Sequence, residues 1–186
     1  MSNLSKKPDN TTSVKGVIFD LDGTLLDSMH FWVPPLNYKK IAARYRDEAT
    51  LKPGVYEFLS ELRRNKVKIV LATATDRDVM EPALHRTRIY DFFDEIFTCG
   101  EVGEGKHSPL IYRKALAFLG CDKSQVLVFE DAHYAITTAS DDGFRVVAVA
   151  DEWVHLYGEM IAHEEVLRRS EMFVADYREL RIAGLG

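Results

Sequence analysis

Three apolar runs in this chain stop abruptly at acids or hydroxyls, and that repeated ending constrains the fold more than any other feature. Val14 to Phe19 (VKGVIF) runs into Asp20-Leu21-Asp22-Gly23-Thr24. Lys66 to Thr73 reads KVKIVLAT and leads to Ala74-Thr75, while Gln125 to Asp131 reads QVLVFED. A fourth run, Arg145 to Ala150 (RVVAVA), has the same apolar body, and Glu95 to Thr98 is a weaker strand candidate. Short runs that are apolar throughout, rather than alternating, are strands covered on both faces. Between them lie stretches with helical spacing. Val55, Phe58, Leu59 and Leu62 form a stripe after Pro53-Gly54; Leu110 to Leu119 follows Ser108-Pro109 and stops at Gly120; Ala132 to Ser140 ends at Asp141-Asp142-Gly143. The alternation predicts an α/β fold: a three-layer, Rossmann-like open parallel sheet with helices on both faces. Such sheets bind ligands beyond the carboxyl ends of their strands. The polar clusters fall there: Asp20 and Asp22, Thr73 and Thr75, Glu130 and Asp131.

Composition narrows the class of partner. The 186 residues carry 24 basic and 29 acidic side chains, a net charge of −5, which opposes a broad electrostatic grip on nucleic acid or anionic membrane. No apolar run approaches the roughly 20 residues of a membrane span. Cys99 and Cys121 form neither a disulfide framework nor a CxxC pair, and read as small buried thiols suited to a reducing cytoplasm. Residues 1–13 read as a disordered tail without a secretory or transit pattern, and 14–186 as one core domain. A helix around Glu159 to Arg169 and a last strand near Met172 to Val174 are expected to follow the fourth run.

As many as four carboxylates in one crevice repel unless a cation or a shared proton intervenes, and hard oxygen ligands in that number suit Mg²⁺. At this point the chain resembles the haloacid dehalogenase-like hydrolase superfamily, in its phosphatase branch near the beta-phosphoglucomutase and phosphoglycolate phosphatase types. Four motifs carry the resemblance, in order: Asp20 to Ser28 (DLDGTLLDS), Ile69 to Thr75 (IVLATAT), Gly105 to Pro109 (GKHSP) and Val128 to Ala132 (VFEDA). The resemblance implies that Asp20 is the nucleophile forming an aspartyl-phosphate, and that Asp22 is the general acid and base. It implies Mg²⁺ held by Asp20, the backbone carbonyl of Asp22, Glu130 and Asp131. It places the phosphoryl group against Gly23, Thr73, the amide of Ala74 and Lys106. His107 and His133, close to these motifs, are assigned surface or packing roles.

The chain departs from that family in its cap. Relatives of this kind insert a helical lid of many tens of residues after the first motif; here only a short segment, at about 28–52, precedes Pro53-Gly54. It holds Phe31-Trp32-Val33-Pro34-Pro35 and a helical stretch, Asn37 to Glu48, with Ile41 and Tyr45 on one face. So short a cap predicts an open site, or one covered by a neighbouring subunit through Phe31, Trp32 and Tyr38 in a homo-oligomer. The function expected is a Mg²⁺-dependent phosphomonoester hydrolase acting on a small phosphorylated metabolite such as a sugar phosphate or a nucleotide. The alternatives are a protein or other bulky-substrate phosphatase with an open site, a phosphomutase-like enzyme, and a catalytically impaired binding protein.

Overall fold

The computed structural model describes residues 13–154 and 161–182. The expected tail therefore lies outside the described residues apart from Ser13, as does the Glu159 start of the late helix. Six parallel strands make the main sheet: β1 (Gly16–Phe19), β4 (Lys68–Thr73), β5 (Glu95–Thr98), β6 (Val126–Glu130), β7 (Arg145–Val149) and β8 (Met172–Val174), in the spatial order β5-β4-β1-β6-β7-β8. A separate two-stranded antiparallel ribbon, β2 (Leu26–Asp27) with β3 (Thr50–Leu51), ties together the two ends of the short insert.

Side chains alternate across each strand, so consecutive apolar residues feed opposite cores. Val17, Phe19, Ile69, Leu71, Leu127 and Phe129 face one cluster, with α1 (Tyr38–Asp47), α2 (Val55–Arg64) and α3 (Arg77–Arg86). Ile18, Val70, Ala72, Val126 and Val128 face the other, with α5 (Leu110–Leu119), α6 (His133–Asp141) and α7 (His163–Arg169); a one-turn α4 (Cys99–Val102) precedes α5. Strand runs without polar residues follow directly from this double burial. The helix α3 has no counterpart in the sequence pattern, because Pro82 stands inside it and interior proline removes a backbone donor. Burial of Val79, Met80, Ala83 and Leu84 outweighs that loss.

The insert is a 3₁₀ turn (Met29–Trp32), a cis Pro34-Pro35 bond and the single helix α1. Asn37 caps α1 by accepting from the Lys40 amide at 3.0 Å. Ile41 and Tyr45 are buried, and α1 packs along α3. The Arg86 guanidinium donates to the Arg46 carbonyl at 2.7 Å and to that of Ala49, fastening the end of α1 to the core. Phe31 is buried, 5.4 Å from the Tyr45 ring, and Trp32 donates its indole N–H to the Tyr45 hydroxyl at 2.8 Å. Those two aromatics are thus packed within their own chain. The two cysteines are free and half-buried rather than buried. No helix among the described residues is long and apolar enough to cross a membrane.

Beneath the strand ends, Phe129 meets Phe19 at 4.6 Å, Phe58 at 5.7 Å and Tyr177 at 6.1 Å between ring centroids. Phe129→Ala opens a void at this junction and should cost about 3–5 kcal/mol by urea denaturation. A loss under about 1 kcal/mol would mean the cluster is not where β1, β6 and α2 are joined.

Candidate active site

The sheet reverses its winding between β1 and β6: from β1 the chain moves to β4 and β5, and from β6 it moves the opposite way to β7 and β8. The crevice past the carboxyl ends of two such strands is where open α/β sheets hold ligands. Asp20 immediately follows β1, and its amide donates to the Phe129 carbonyl of β6 at 3.0 Å. Glu130 is the last residue of β6 and Asp131 the next. A cavity of about 450 Å³ opens here, walled by Asp20, Asp22, Ala74, Lys106, Glu130 and Asp131 on the sheet side.

Lys106 comes from the loop before α5 and is buried between two acids. Its ammonium donates to Asp20 Oδ1 and, at 2.6 Å, to Glu130 Oε1; the Tyr112 hydroxyl of α5 donates to the same Glu130 oxygen at 2.6 Å. Burial works against the Lys106 charge, but Asp20 and Glu130 together hold its pKa above the usual lysine range. Asp131 Oδ1 accepts from the Thr24 hydroxyl at 3.2 Å. The other oxygens, Glu130 Oε2 and Asp131 Oδ2, are buried without a hydrogen-bond partner. Burial pushes the Glu130 carboxyl up to about 7 despite Lys106, and Asp131 well above the carboxylate range, with Asp20 and Glu130 adding repulsion. Asp20, Glu130 and Asp131 each offer an oxygen within 4.8 Å of the others. Unpartnered buried acceptors converging this closely are a cation site in geometry and in donor chemistry.

Asp22 faces a different set of neighbours. Its Oδ1 accepts from Ser28 Oγ at 2.6 Å and from the Tyr45 hydroxyl, and its Oδ2 from Thr75 Oγ1 at 2.6 Å. Burial raises its pKa first and Asp20 adds to the rise, while the three hydroxyls pull the other way. A buried carboxyl so surrounded can hold a proton or release it as the donors rotate, which is what proton transfer to and from a reacting oxygen requires.

The structure brings Asp20, Asp22, Ala74, Lys106, Glu130 and Asp131 to one cavity. Thr73 lies one layer back: it is fully buried, and its Oγ1 accepts from the Thr75 amide at 3.0 Å, so it shapes the turn that presents Ala74 and Thr75. Gly23 also sits behind the wall, at φ +80°, where an added Cβ would fall on the Asp131 carboxylate. Met29, Trp32, Pro34 and Leu36 of the short insert also line the cavity, and Asp20 and Asp22 are 6% and 7% exposed. Sequence reasoning assigned no role to Tyr45, Ser28, Thr75 or Tyr112. Tyr45 lies 23 positions from Asp22, and its only signal was a hydroxyl-bearing aromatic on the inward face of α1. His107 stacks on Tyr134 with centroids 4.2 Å apart, and His133 Nδ1 accepts from the Ile161 amide at 2.9 Å, which are packing roles.

The raised carboxyls give a stability test with a definite sign. Glu130, Asp131 and Asp22 hold protons in the folded state at pH values where the unfolded chain has released them. Stability in chelator should therefore fall as pH rises from about 4.5 to 7, and a saturating divalent cation should flatten the fall. Urea titrations across that range decide it; stability in chelator that climbs over the same interval would contradict the arrangement. Independently, Gly23→Ala should lower stability and weaken divalent-cation binding together, read by thermal unfolding with and without the ion.

The chain matches the pyrophosphatase PpaX of Bacillus velezensis with 27% identity over 74% of this chain and 83% of that one. It matches the chloroplastic 5-amino-6-(5-phospho-D-ribitylamino)uracil phosphatase of Arabidopsis thaliana with 30% identity over 70% of this chain and 35% of that one. Several further curated relatives are spanned over only about half their length. The crystal structure of CbbY from Rhodobacter sphaeroides in complex with phosphate superposes with a TM-score of 0.72 at 21% identity, covering 92% of this chain and 99% of that one, which shows a shared fold. The sequence profile of the haloacid dehalogenase-like hydrolases matches residues 30–141, which run from the insert through α3, Lys106 and the Glu130-Asp131 pair to the end of α6. With three-fifths of its length under that profile and the acids gathered at one switch point, the chain belongs to the haloacid dehalogenase-like hydrolase family.

Proposed function

We propose that the protein is a Mg²⁺-dependent phosphomonoesterase that cleaves a small phosphate ester through a phosphate ester of Asp20. The observation that carries this reading is the pairing of Asp20 with Lys106 beside two buried carboxylate oxygens that lack partners. Asp20, Glu130 and Asp131, with the Asp22 carbonyl, would hold the ion, and an all-oxygen donor set fits Mg²⁺. Bound there, Mg²⁺ supplies positive charge that offsets repulsion between the Asp20 carboxylate and the phosphoryl oxygens.

The remaining chemistry belongs to the chain. A carboxylate oxygen of Asp20 bonds to phosphorus while the bond from phosphorus to the ester oxygen breaks, and Asp22 gives its proton to that departing oxygen. Asp22, now ionised, takes a proton from the water that attacks phosphorus and frees Asp20. Lys106 fixes Asp20 in position and places an ammonium beside the phosphoryl oxygens. The Ala74 amide stands at the cavity wall for the same oxygens, positioned by the Thr73–Thr75 turn. The phosphatase names of the relatives support a small phosphorylated substrate, and the net charge of −5 argues against nucleic acid. The free thiols fit a cytoplasmic setting.

Asp20→Asn should reduce kcat by at least about 10³-fold on a generic aryl phosphate, since the amide cannot form the ester. Chelator should silence wild type, and Mg²⁺ should restore it. An Asp20→Asn variant within tenfold of wild type would overturn the mechanism. Tyr45→Phe removes one of the hydrogen bonds that lower the Asp22 pKa. The limb of the pH profile that reports loss of protonated Asp22 should therefore move to higher pH, with kcat down about tenfold. An unmoved limb would place Tyr45 outside proton transfer.

A further inference from the structure

The cavity has two chemically different walls, and the second says what the ester's alcohol must be. Resting on the phosphatase reading above, we infer that this site selects phosphate monoesters of uncharged, ring-bearing apolar alcohols over sugar phosphates, bisphosphates and pyrophosphate. The direction of the leaving group follows from Asp22. Its carboxyl lies among Ser28 and Tyr45, both from the insert, and Thr75. An ester oxygen protonated by Asp22 must point towards the insert, so the rest of the alcohol lies under Met29, Trp32, Pro34 and Leu36, with Ala132 and Tyr134 beside it.

That wall is poor in what a sugar or a second phosphate needs. Lys106 is the only cationic side chain among the described residues lining the cavity, and it is already committed to Asp20 and Glu130. An extra phosphate on the alcohol, lying under the insert, would meet no second cationic side chain among the described lining residues. Trp32 has a single donor, and Tyr45 takes it. The Thr75 hydroxyl is spent on Asp22. Sugar hydroxyls entering here would give up water and gain few side-chain partners, the kind of mismatch that sites discriminate against most strongly. An apolar ring loses nothing of that sort, and it covers Leu36, which stands 56% exposed at the rim. The volume of about 450 Å³ holds a phosphate and one ring.

The test uses 2-phenylethyl phosphate, whose alcohol leaves about as poorly as glycerol does, so that leaving-group reactivity cannot mimic recognition. With the full chain and Mg²⁺, kcat/KM for 2-phenylethyl phosphate should exceed that for glycerol 1-phosphate, fructose 1,6-bisphosphate and pyrophosphate by at least tenfold. Leu36→Lys, at an exposed position, should cut the preference over the bisphosphate at least fivefold. Calorimetry gives a readout without turnover: 2-phenylethylphosphonate should bind the Mg²⁺-loaded protein at least tenfold tighter than ethylphosphonate. Turnover without preference for the phenyl ester, or equal binding of the two phosphonates, overturns the selectivity. Failure to hydrolyse any ester with the tenfold phosphonate preference intact would retain the pocket and overturn the phosphatase reading; failure of both would remove the two together.

Discussion

One buried ammonium organises the active end of this protein. Lys106 is shared by Asp20 and Glu130, which come from the ends of adjacent strands β1 and β6. A single positive charge cannot neutralise Asp20, Glu130 and Asp131 at once, and the surplus appears as raised carboxyl pKa values and two oxygens with no donor. Removing one partner of such a buried set leaves an uncompensated charge, so the cluster persists only because the strands beneath it are rigid. That rigidity comes from the doubly covered sheet, in which β1, β4, β6 and β7 are apolar on both faces, and from the Phe19, Phe58 and Phe129 rings packed below.

The short insert takes the opposite role. It adds no charge to the metal-type cluster; instead it delivers hydroxyls and apolar surface. Ser28 stands at its start and Tyr45 on the buried face of α1, and both reach the same oxygen of Asp22. The docking of α1 on α3, fixed by Arg86 and by the Tyr38 hydroxyl, 3.3 Å from a carboxylate oxygen of each of Asp76 and Asp78, therefore bears directly on the surroundings of Asp22. Trp32 joins the two functions, since its N–H steadies Tyr45 while its ring walls the cavity.

Much of this was legible in the chain because the relevant signals are local. A strand that ends in Asp20, Thr73 or Glu130-Asp131 announces both the sheet and the edge where its chemistry collects, and β1, β4, β5, β6, β7 and β8 fall on the expected runs. Contacts that depend on helix register across long separations were not legible. Tyr45 reads as one more inward aromatic until α1 is placed, and Tyr112 reaches Glu130 only once α5 is laid over β4, β5 and β1. Pro82 concealed α3, the platform for the insert. The apolar lining that the short cap gives the cavity was hidden for a related reason. Length does not report where Met29, Trp32 and Leu36 stand once the β2–β3 ribbon has closed the ends of the segment together.

A lid that moves must give up contacts each time it opens, and this insert has many to give up. Ile41 and Tyr45 are buried against the main core, and the Arg86 bonds to the carbonyl end of α1 are held from α3. Opening would also strip two donors from Asp22 and hand its carboxyl to water. The insert is thus held to the core by several contacts within its own chain. Leu36, exposed and lining the cavity, marks where the cavity meets solvent. A roof built this way surrounds the Asp22 carboxyl with hydroxyl donors that stand in place before any ligand arrives.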